Sequence, residues 1–350
     1  MKILALAGDG IGPEITAVTL RVLERLGQRF GLDLRIESRE VGLASLERVG
    51  ATLTGEVVEA CRAADGFILG PVSHLEYPAG ARNPSGELRI ALDLYANVRP
   101  SRSHEGLARW GRTPMDLVIV RENTEGFYAD RNMHQGSGEL MPTPDLALSV
   151  RKISARASRR IAQTAFRLAR RRRRKVTAVH KANVLKTTEG LFLREVRGVA
   201  QEHGDVLYEE QLVDSMAALL VRDAARFDVV VTTNMYGDIL SDEAAELSGG
   251  LGLAGSINAG DEHCMAQAQH GSAPDIAGKD LANPCSLLLS TGMLLGWLGD
   301  RHAAQNHLRA HAALEEALAS LLRDPATRTR DLGGALGTRE FGTAVLQRLA

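Results

Sequence analysis

Phe227 to Leu253 reads FDVVVTTNMYGDILSDEAAELSGGLGL, and its two halves follow different rules. Val229 to Thr233 is a short apolar, β-branched run, the pattern of a strand covered on both faces. Ile239 to Leu247 returns to helical spacing and runs into Gly249-Gly250, a helix stop. Asp238 and Asp242 are four residues apart, so they share one helix face directly after a buried strand. Hard oxygen donors at a strand end suit Mg²⁺ or Mn²⁺ better than zinc, which prefers nitrogen and sulfur. Helix capping is the competing reading, because aspartate in a first helical turn complements the macrodipole.

Working outward, strand patterns alternate with helical ones: Ile3 to Ala7 and then Glu14 to Phe30, Gly66 to Leu69, Leu117 to Val120, Val176 to Val179. Such alternation predicts an α/β fold with a substantial parallel sheet, and 350 residues are enough for two domains. Ala303 to Leu322 reads as helix. Ala254 to Pro284, rich in Gly, Ala and polar residues, reads as a long functional loop. Cys61, Cys264 and Cys285 are odd in number and lack a C-x-x-C pattern, which indicates neither a disulfide framework nor a zinc site and fits a reducing compartment. A net charge of −1 offers nucleic acid no broad attraction. The basic run Arg170 to Lys175 reads as a solvated helix face behind the apolar stripe Ile161, Ala165, Leu168 and Ala169. The chain opens on the strand pattern Ile3-Leu4-Ala5-Leu6 with no targeting segment, and no apolar run reaches membrane-spanning length. The expectation is a cytoplasmic protein with neither nucleic acid nor membrane as partner.

The words around the two aspartates go further. N-M-Y-G-D-I-L-S-D followed by G-G-L-G-L resembles the isocitrate and isopropylmalate dehydrogenases, the metal-dependent β-decarboxylating dehydrogenases. The resemblance continues through L-A-G-D-G-I-G-P-E-I (Leu6 to Ile15), L-D-L-Y-A-N-V-R-P (Leu92 to Pro100) and V-R-E-N-T-E-G-F-Y (Val120 to Tyr128). It extends to H-K-A-N-V-L-K (His180 to Lys186) and H-G-S-A-P-D-I-A-G-K (His270 to Lys279), all in the family's order. It implies a two-domain isopropylmalate dehydrogenase-like α/β fold with a parallel or mixed sheet and an active-site cleft between the domains, distinct from the Rossmann fold. A discontinuous nucleotide-binding domain would comprise residues 1–99 and 248–350, and an inserted substrate and dimerisation domain residues 100–247. Arg131 to Leu148 falls where the family has a dimer-forming arm, with a plain surface loop as the alternative.

The same resemblance assigns roles. Arg89, Arg99 and Arg121 would hold the carboxylates of a 3-substituted malate, a task for which a planar guanidinium is suited. Lys181 would help remove the substrate hydroxyl proton and Tyr128 would return a proton after CO₂ leaves, with Asn183 a neighbouring contact. Asp214 resembles a third metal carboxylate, which the family supplies from the partner subunit together with the lysine. The protein would then be a homodimer with shared active sites, using Mg²⁺ or Mn²⁺ with Asp214, Asp238 and Asp242.

For the cofactor, the glycines of Gly8 to Pro13 are too closely spaced for the Rossmann G-x-G-x-x-G. Resemblance places the adenine-binding loop at His270, Gly271, Asp275, Ile276 and Asn283. The carboxylate of Asp275 would accept from ribose hydroxyls and repel a 2′-phosphate, which predicts NAD rather than NADP. Two departures stand out: Gln267 where the family usually has Glu, and Gly255 where it usually has Pro.

The substrate's C3 group would meet the stretch before Leu88-Arg89, where isopropylmalate enzymes carry a leucine pair. Here the register is Arg82-Asn83-Pro84-Ser85-Gly86. An apolar C3 substituent would leave those polar groups unpaired. Isocitrate or homoisocitrate therefore leads, with Ser85 as a contact. A specialised 3-substituted malate, 3-isopropylmalate, D-malate and tartrate are the alternatives. A non-catalytic regulatory subunit of a hetero-oligomeric isocitrate dehydrogenase is the reading from another class.

Overall fold

The computed structural model describes every residue of the chain except Ala129 and Arg131. In chain order its elements are β1 (Lys2–Leu6), α1 (Gly12–Phe30), β2 (Arg35–Arg39), α2 (Leu43–Val49), α3 (Gly55–Arg62), β3 (Gly66–Leu69), α4 (Pro84–Ala91), β4 (Ala96–Arg102) and β5 (Asp116–Glu122). There follow β6 (Glu139–Thr143), β7 (Leu146–Ser149), α5 (Ala155–Arg170), β8 (Lys175–His180), α6 (Thr188–Glu202), β9 (Leu207–Leu212), α7 (Val213–Asp223), β10 (Val229–Thr232) and α8 (Asn234–Ser248). The chain closes with β11 (Ile257–Ala259), β12 (Cys264–Gln267), α9 (Cys285–Arg301), α10 (Gln305–Arg323) and α11 (Thr338–Arg348).

These elements form two compact units. One comprises Met1–Asp93, His104–Ala108 and Gly249–Ala350; the other comprises Leu94–Ser103 and Arg109–Ser248. The chain leaves the first unit after Asp93, ahead of the crossing near Arg99 expected from the sequence, and returns briefly over His104–Ala108.

In the first unit the strands run in the order β2-β1-β3-β12-β11, all parallel except β11, which is antiparallel to β12. Ile3, Leu4, Phe67, Ile68 and Leu69 are fully buried there, as expected of parallel strands covered on both faces. Helix α1 turns Ile15, Val18, Val22 and Leu26 inward at helical spacing. The G-D-G turn before α1 proves to be structural. Gly8 and Gly10 both have positive φ, and a Cβ at either would strike backbone, that of Pro71 and Ser272 respectively. Between them, the buried Asp9 carboxylate accepts from Leu43 N, Ser73 N and Tyr77 Oη at 2.6–2.9 Å.

In the second unit the order is β4-β5-β10-β8-β9, with β4 antiparallel to β5 and the remaining pairs parallel. Strand alternation sorts its side chains into two cores. Val118, Val120, Val229 and Val231 face α5 and α6 through Ile161, Phe166, Phe192 and Val196. Leu117, Ile119 and Val230 face α7 and α8 through Met216, Leu220, Leu240 and Ala244. Each such side chain contributes about 1.5–3 kcal/mol by burial. Two-sided burial also explains why these strands read as unbroken apolar runs.

Two expectations need correction. Ala254 to Pro284 is not a long loop: it contains β11 and β12, short strands of small or polar residues whose backbone pairing the sequence does not advertise. Nor is Arg170 to Lys175 a helix face, because α5 ends at Arg170 and the next four arginines form a turn that reaches the left-handed region at Arg174. Arg172 bridges Asp116 and the buried Asp228, each at 2.8 Å, and Arg173 N donates to Asp228. Arg170 pairs with Asp205 at 2.7 Å. The run therefore stitches a helix end to neighbouring strands, and its charges are largely matched.

Within the stretch resembling a dimer arm, β6 and β7 form an antiparallel ribbon exposed along its whole length, Leu140, Met141, Leu146 and Leu148 included. Arg131, at the start of that stretch, lies outside the described residues. Among the described residues no helix is long and apolar enough to cross a membrane. Cys61, Cys264 and Cys285 are buried free thiols, and burial pushes the Cys61 thiol up to about 12.

Candidate active site

Helix α8 begins at Asn234, immediately after β10 and five residues before the helical spacing becomes legible at Ile239. Asp238 therefore lies in the second turn, and no acidic residue occupies the first. Capping accounts for neither aspartate. Both carboxylates are instead held by arginines from the adjoining strands.

The register of β4 against β5 sets Asn97 opposite Arg121 and Arg99 opposite Ile119. Arg99 and Arg121 are thus diagonal neighbours on one sheet face, close enough for their long side chains to converge. Arg99 Nη1 lies 3.2 Å from Asp238 Oδ1 and 3.0 Å from Asp242 Oδ1, and donates to Ser241 Oγ at 2.8 Å. Arg121 is fully buried; its Nε donates to Asn234 Oδ1 at 2.8 Å, its Nη1 to Asp238 Oδ1 and its Nη2 to the Tyr128 hydroxyl at 2.6 Å. The Tyr128 hydroxyl in turn donates to Asp238 Oδ2 at 2.7 Å. Burial, and then the charge of Arg121, pull the Arg99 guanidinium down to about 10; the two aspartates oppose that shift. It stays cationic at neutral pH.

This convergence depends on Gly237. A Cβ there would sit 2.6 Å from both Cβ and Cγ of Arg121. Alanine is the better helix former by about 1 kcal/mol, yet overpacking a fixed side chain costs about 1–3 kcal/mol. Gly237→Ala is expected to lower stability in urea unfolding and to raise the KM for the acid substrate, because Arg121 must move. A variant more stable than the parent would show that the contact is slack.

Lys181 and Asp214 are brought together elsewhere in the same unit. Lys181 follows β8, and its Nζ lies 2.5 Å from Asp214 Oδ1 in the first turn of α7. That hydrogen bond holds the Asp214 carboxyl below its ordinary range. Glu189, fully buried and paired with Arg151, accepts from Lys181 N at 2.9 Å and so fixes the backbone that carries the lysine. Asn183, two residues on, is exposed.

Asp238 and Asp242 fit a divalent metal as donors. They are one helical turn apart, partly open to solvent, and their Oδ1 atoms already share one positive charge, that of Arg99. Among the described residues no three of His, Cys, Asp or Glu are grouped closely enough to form a complete set, so Asp214 does not join the pair within one chain.

In the first unit the residues assigned to substrate and nucleotide sit around β12 and the segment after it. Gln267, a buried residue at the end of β12, takes donors from Ser85 Oγ and Arg89 Nη2, both at 3.0 Å, and from Asn258 Nδ2 at 3.3 Å. Asn83 caps α4 by accepting from Ser85 N at 3.0 Å. His270 has a pKa lowered by burial, and its Nδ1 lies 2.9 Å from Gly271 O. Gly271 and Asp275 are exposed and Ile276 is half-buried, in a segment joined to the G-D-G turn by Ile11 N donating to Ser272 O at 2.8 Å. Asn283 is tied down at both ends of its amide: Nδ2 donates to Asp331 at 2.9 Å and Oδ1 accepts from Cys285 N at 3.0 Å. The other departure, Gly255, is matched by packing, since Leu289 Cβ and Met293 Sδ lie 2.9 and 3.2 Å from where its Cβ would be.

The family model of isocitrate/isopropylmalate dehydrogenase matches residues 2–345. This chain belongs to the isocitrate/isopropylmalate dehydrogenase family. As a member of that dehydrogenase family it is an oxidoreductase, and metal and NAD use are typical of the group. It is 40% identical to the 3-isopropylmalate/3-methylmalate dehydrogenase of Methanocaldococcus jannaschii, over 99% of this chain and 98% of that one. It is 42% identical to the isocitrate/homoisocitrate dehydrogenase of Thermus thermophilus, with the same coverage. The crystal structure of isocitrate dehydrogenase from Methylococcus capsulatus superposes with a TM-score of 0.88 at 38% identity, covering 99% of each chain. Family membership accounts for the mixed α/β architecture with its large sheet.

Sequence reasoning missed Asp9, Glu189 and Asn234, all structural supports of the motifs it quoted. Asn234 and Asp9 stood inside those motifs, N-M-Y-G-D and G-D-G. Glu189 had no local signal, because its partner Arg151 is remote in sequence.

Proposed function

We propose that this chain catalyses the NAD- and divalent-metal-dependent oxidative decarboxylation of a (2R,3S)-3-substituted malate, with isocitrate or homoisocitrate as the leading substrate. The observation that carries this reading is the convergence of Arg99, Arg121 and Tyr128 on Asp238, with Asp242 one turn away. Arg89, Arg99 and Arg121 bind carboxylates, and Ser85 contacts the C3 group. Lys181, as the neutral amine, takes the hydroxyl proton and becomes an ammonium; its partly exposed side chain and fixed backbone support that role. Tyr128 delivers a proton to carbon once CO₂ has left, and its links to Arg121 and Asp238 hold the hydroxyl in one place for that transfer. Mg²⁺ or Mn²⁺, held by Asp238 and Asp242, would supply Lewis-acid stabilisation of negative charge on the substrate.

Asp214 completes the metal set from a partner subunit, and with it Lys181, in a homodimer. Support comes from the separation of Asp214 from the other two aspartates within one chain and from the exposed apolar ribbon of β6 and β7. His270, Gly271, Asp275, Ile276 and Asn283 bind NAD; the exposed carboxylate of Asp275 favours ribose hydroxyls over a 2′-phosphate. The three buried free thiols support a reducing, cytoplasmic setting.

A second reading has specific support: 3-isopropylmalate dehydrogenase is the commonest name among the relatives. The polar stretch Arg82 to Ser85 favours the first. NADH formation by the purified chain with Mn²⁺ separates them, scanning isocitrate, homoisocitrate, 3-isopropylmalate, D-malate and tartrate. The expected result is the highest kcat/KM with isocitrate or homoisocitrate, and NAD preferred to NADP. A dominant response to 3-isopropylmalate would transfer the assignment to the second reading. Silence on all five, with NAD binding intact, would point to a specialised 3-substituted malate or to a non-catalytic regulatory subunit.

A further inference from the structure

Arg151 lies ahead of α5, outside any helix or strand, yet its side chain is only 7% exposed. Lys152 and Gly126 exchange backbone hydrogen bonds at 2.9 and 3.0 Å, and Ser154 N donates to the Glu125 carboxylate at 2.7 Å. These bonds dock the Arg151 segment on the one that carries Tyr128. From there the guanidinium reaches three places in the second unit. Its carbon lies 5.4 Å from the ring centre of Phe127, the neighbour of Tyr128, within cation–π range. It lies 5.2 Å from the ring centre of Tyr236, two residues before Asp238, and Nη2 donates to Thr233 Oγ1 at 2.9 Å, where β10 runs into α8. Nη2 also pairs with Glu189 Oε1, while Glu189 Oε2 accepts from Lys181 N at 2.9 Å.

We propose that Arg151 is a positioning residue for proton transfer: one buried guanidinium steadies the segments that carry Tyr128, Lys181 and Asp238. This deepens the function proposed above and rests on Tyr128 and Lys181 being the proton-transfer groups. In the homodimer of that reading the two serve different sites, so each Arg151 steadies one such residue of each site. The residue type follows from the task. Compensating the buried Glu189 requires only a cation, which lysine would supply. A planar fork of donors pairs with Glu189, bonds Thr233 and lies over two rings at once, which a lysine ammonium cannot do. Displacing a reacting group by about 1 Å costs up to about 10²-fold in rate, so such a device acts on kcat rather than on binding.

The test compares Arg151→Lys, Arg172→Lys, Lys181→Met and Tyr128→Phe in the full-length enzyme, using whichever of isocitrate, homoisocitrate and 3-isopropylmalate the parent turns over fastest. Arg151→Lys keeps a cation for Glu189 and is expected to fold, with kcat lowered about tenfold. Its KM values for the acid and for NAD should stay within about twofold of the parent's, because Arg99 and Arg121 keep their hold on Asp238. Arg172→Lys loosens a different buried pair, that with Asp228, and is the structural control: its urea midpoint should fall with kcat unchanged. Amide hydrogen exchange reads the positioning directly, and in Arg151→Lys residues 125–128 and 181–189 should exchange faster than in the parent. A lowered urea midpoint with kcat unmoved, the pattern of the control, would overturn the proposal. So would a rise in KM that exceeds the fall in kcat. If Arg151→Lys does not fold, Phe127→Leu takes its place; it removes a ring and no charge, and should lower kcat about threefold, an unchanged kcat again overturning the proposal. If Lys181→Met and Tyr128→Phe both leave kcat unchanged, or none of the three acids turns over, the reading of proton transfer itself fails and the proposal falls with it.

Discussion

Replacing Lys181 by methionine is expected to lower kcat by about 10²- to 10⁴-fold, the usual contribution of a positioned acid or base. Methionine keeps most of the length and apolar stem of lysine but cannot carry a proton. The fold should survive, because the side chain of Lys181 pairs with Asp214, itself largely exposed. Such pairs contribute about 0–1 kcal/mol. The backbone anchor, Lys181 N to Glu189, does not involve the side chain and remains. Steady-state turnover together with a urea unfolding curve separates the two effects. A kcat within about tenfold of the parent at unchanged stability would remove Lys181 from proton transfer. Asp214→Asn provides a useful contrast: if a partner's Asp214 serves the metal, this variant should show a raised Mn²⁺ requirement, whereas Lys181→Met should not.

Asp238→Asn is expected to damage both activity and stability, and Asp242→Asn mainly activity. Asp238 accepts from Arg99, Arg121 and Tyr128, and the two guanidiniums are nearly inaccessible to water. Removing its charge leaves Arg121 without the carboxylate of Asp238 and Arg99 with Asp242 alone of the two aspartates. Loss of one partner in a buried pair costs about 3–5 kcal/mol; Asp238 is itself 38% exposed, so roughly 1–3 kcal/mol is expected. Asp242 is half-exposed, and Arg99 would keep Asp238 when it is changed. Both variants should lose on the order of 10²-fold in kcat/KM if the pair holds the metal, with partial rescue by raised Mn²⁺. Equal stability losses in the two variants would show that the arginine cluster is not organised around Asp238.

Several features were legible because they depend on neighbours in sequence. The strands around Val118, Val176 and Val229 are continuous apolar runs because both faces are buried, and α1 shows its inward stripe directly. The motifs containing Asp238, Asp242, Tyr128 and Lys181 could be quoted as words. β11 and β12 could not be seen, since three or four small or polar residues form a strand only when a partner supplies the other half of the ladder. The arginine turn after α5 is not legible in the sequence for a related reason: what makes Arg172 structural is Asp228, far along the chain.

By itself the sequence determined the family, the alternating α/β plan, the helix face shared by Asp238 and Asp242, and which residue types were available for proton transfer. These are properties of composition, period and spacing, which every chain of this sequence carries whatever its partners. Only the tertiary structure decided that Asp238 is gripped by two buried arginines, that Glu189 fixes Lys181, and that the unusual Gln267 is the shared acceptor of Ser85 and Arg89. Each of those contacts joins residues remote in sequence. Strand register and burial alone set their distances and charges, and local patterning has no access to either.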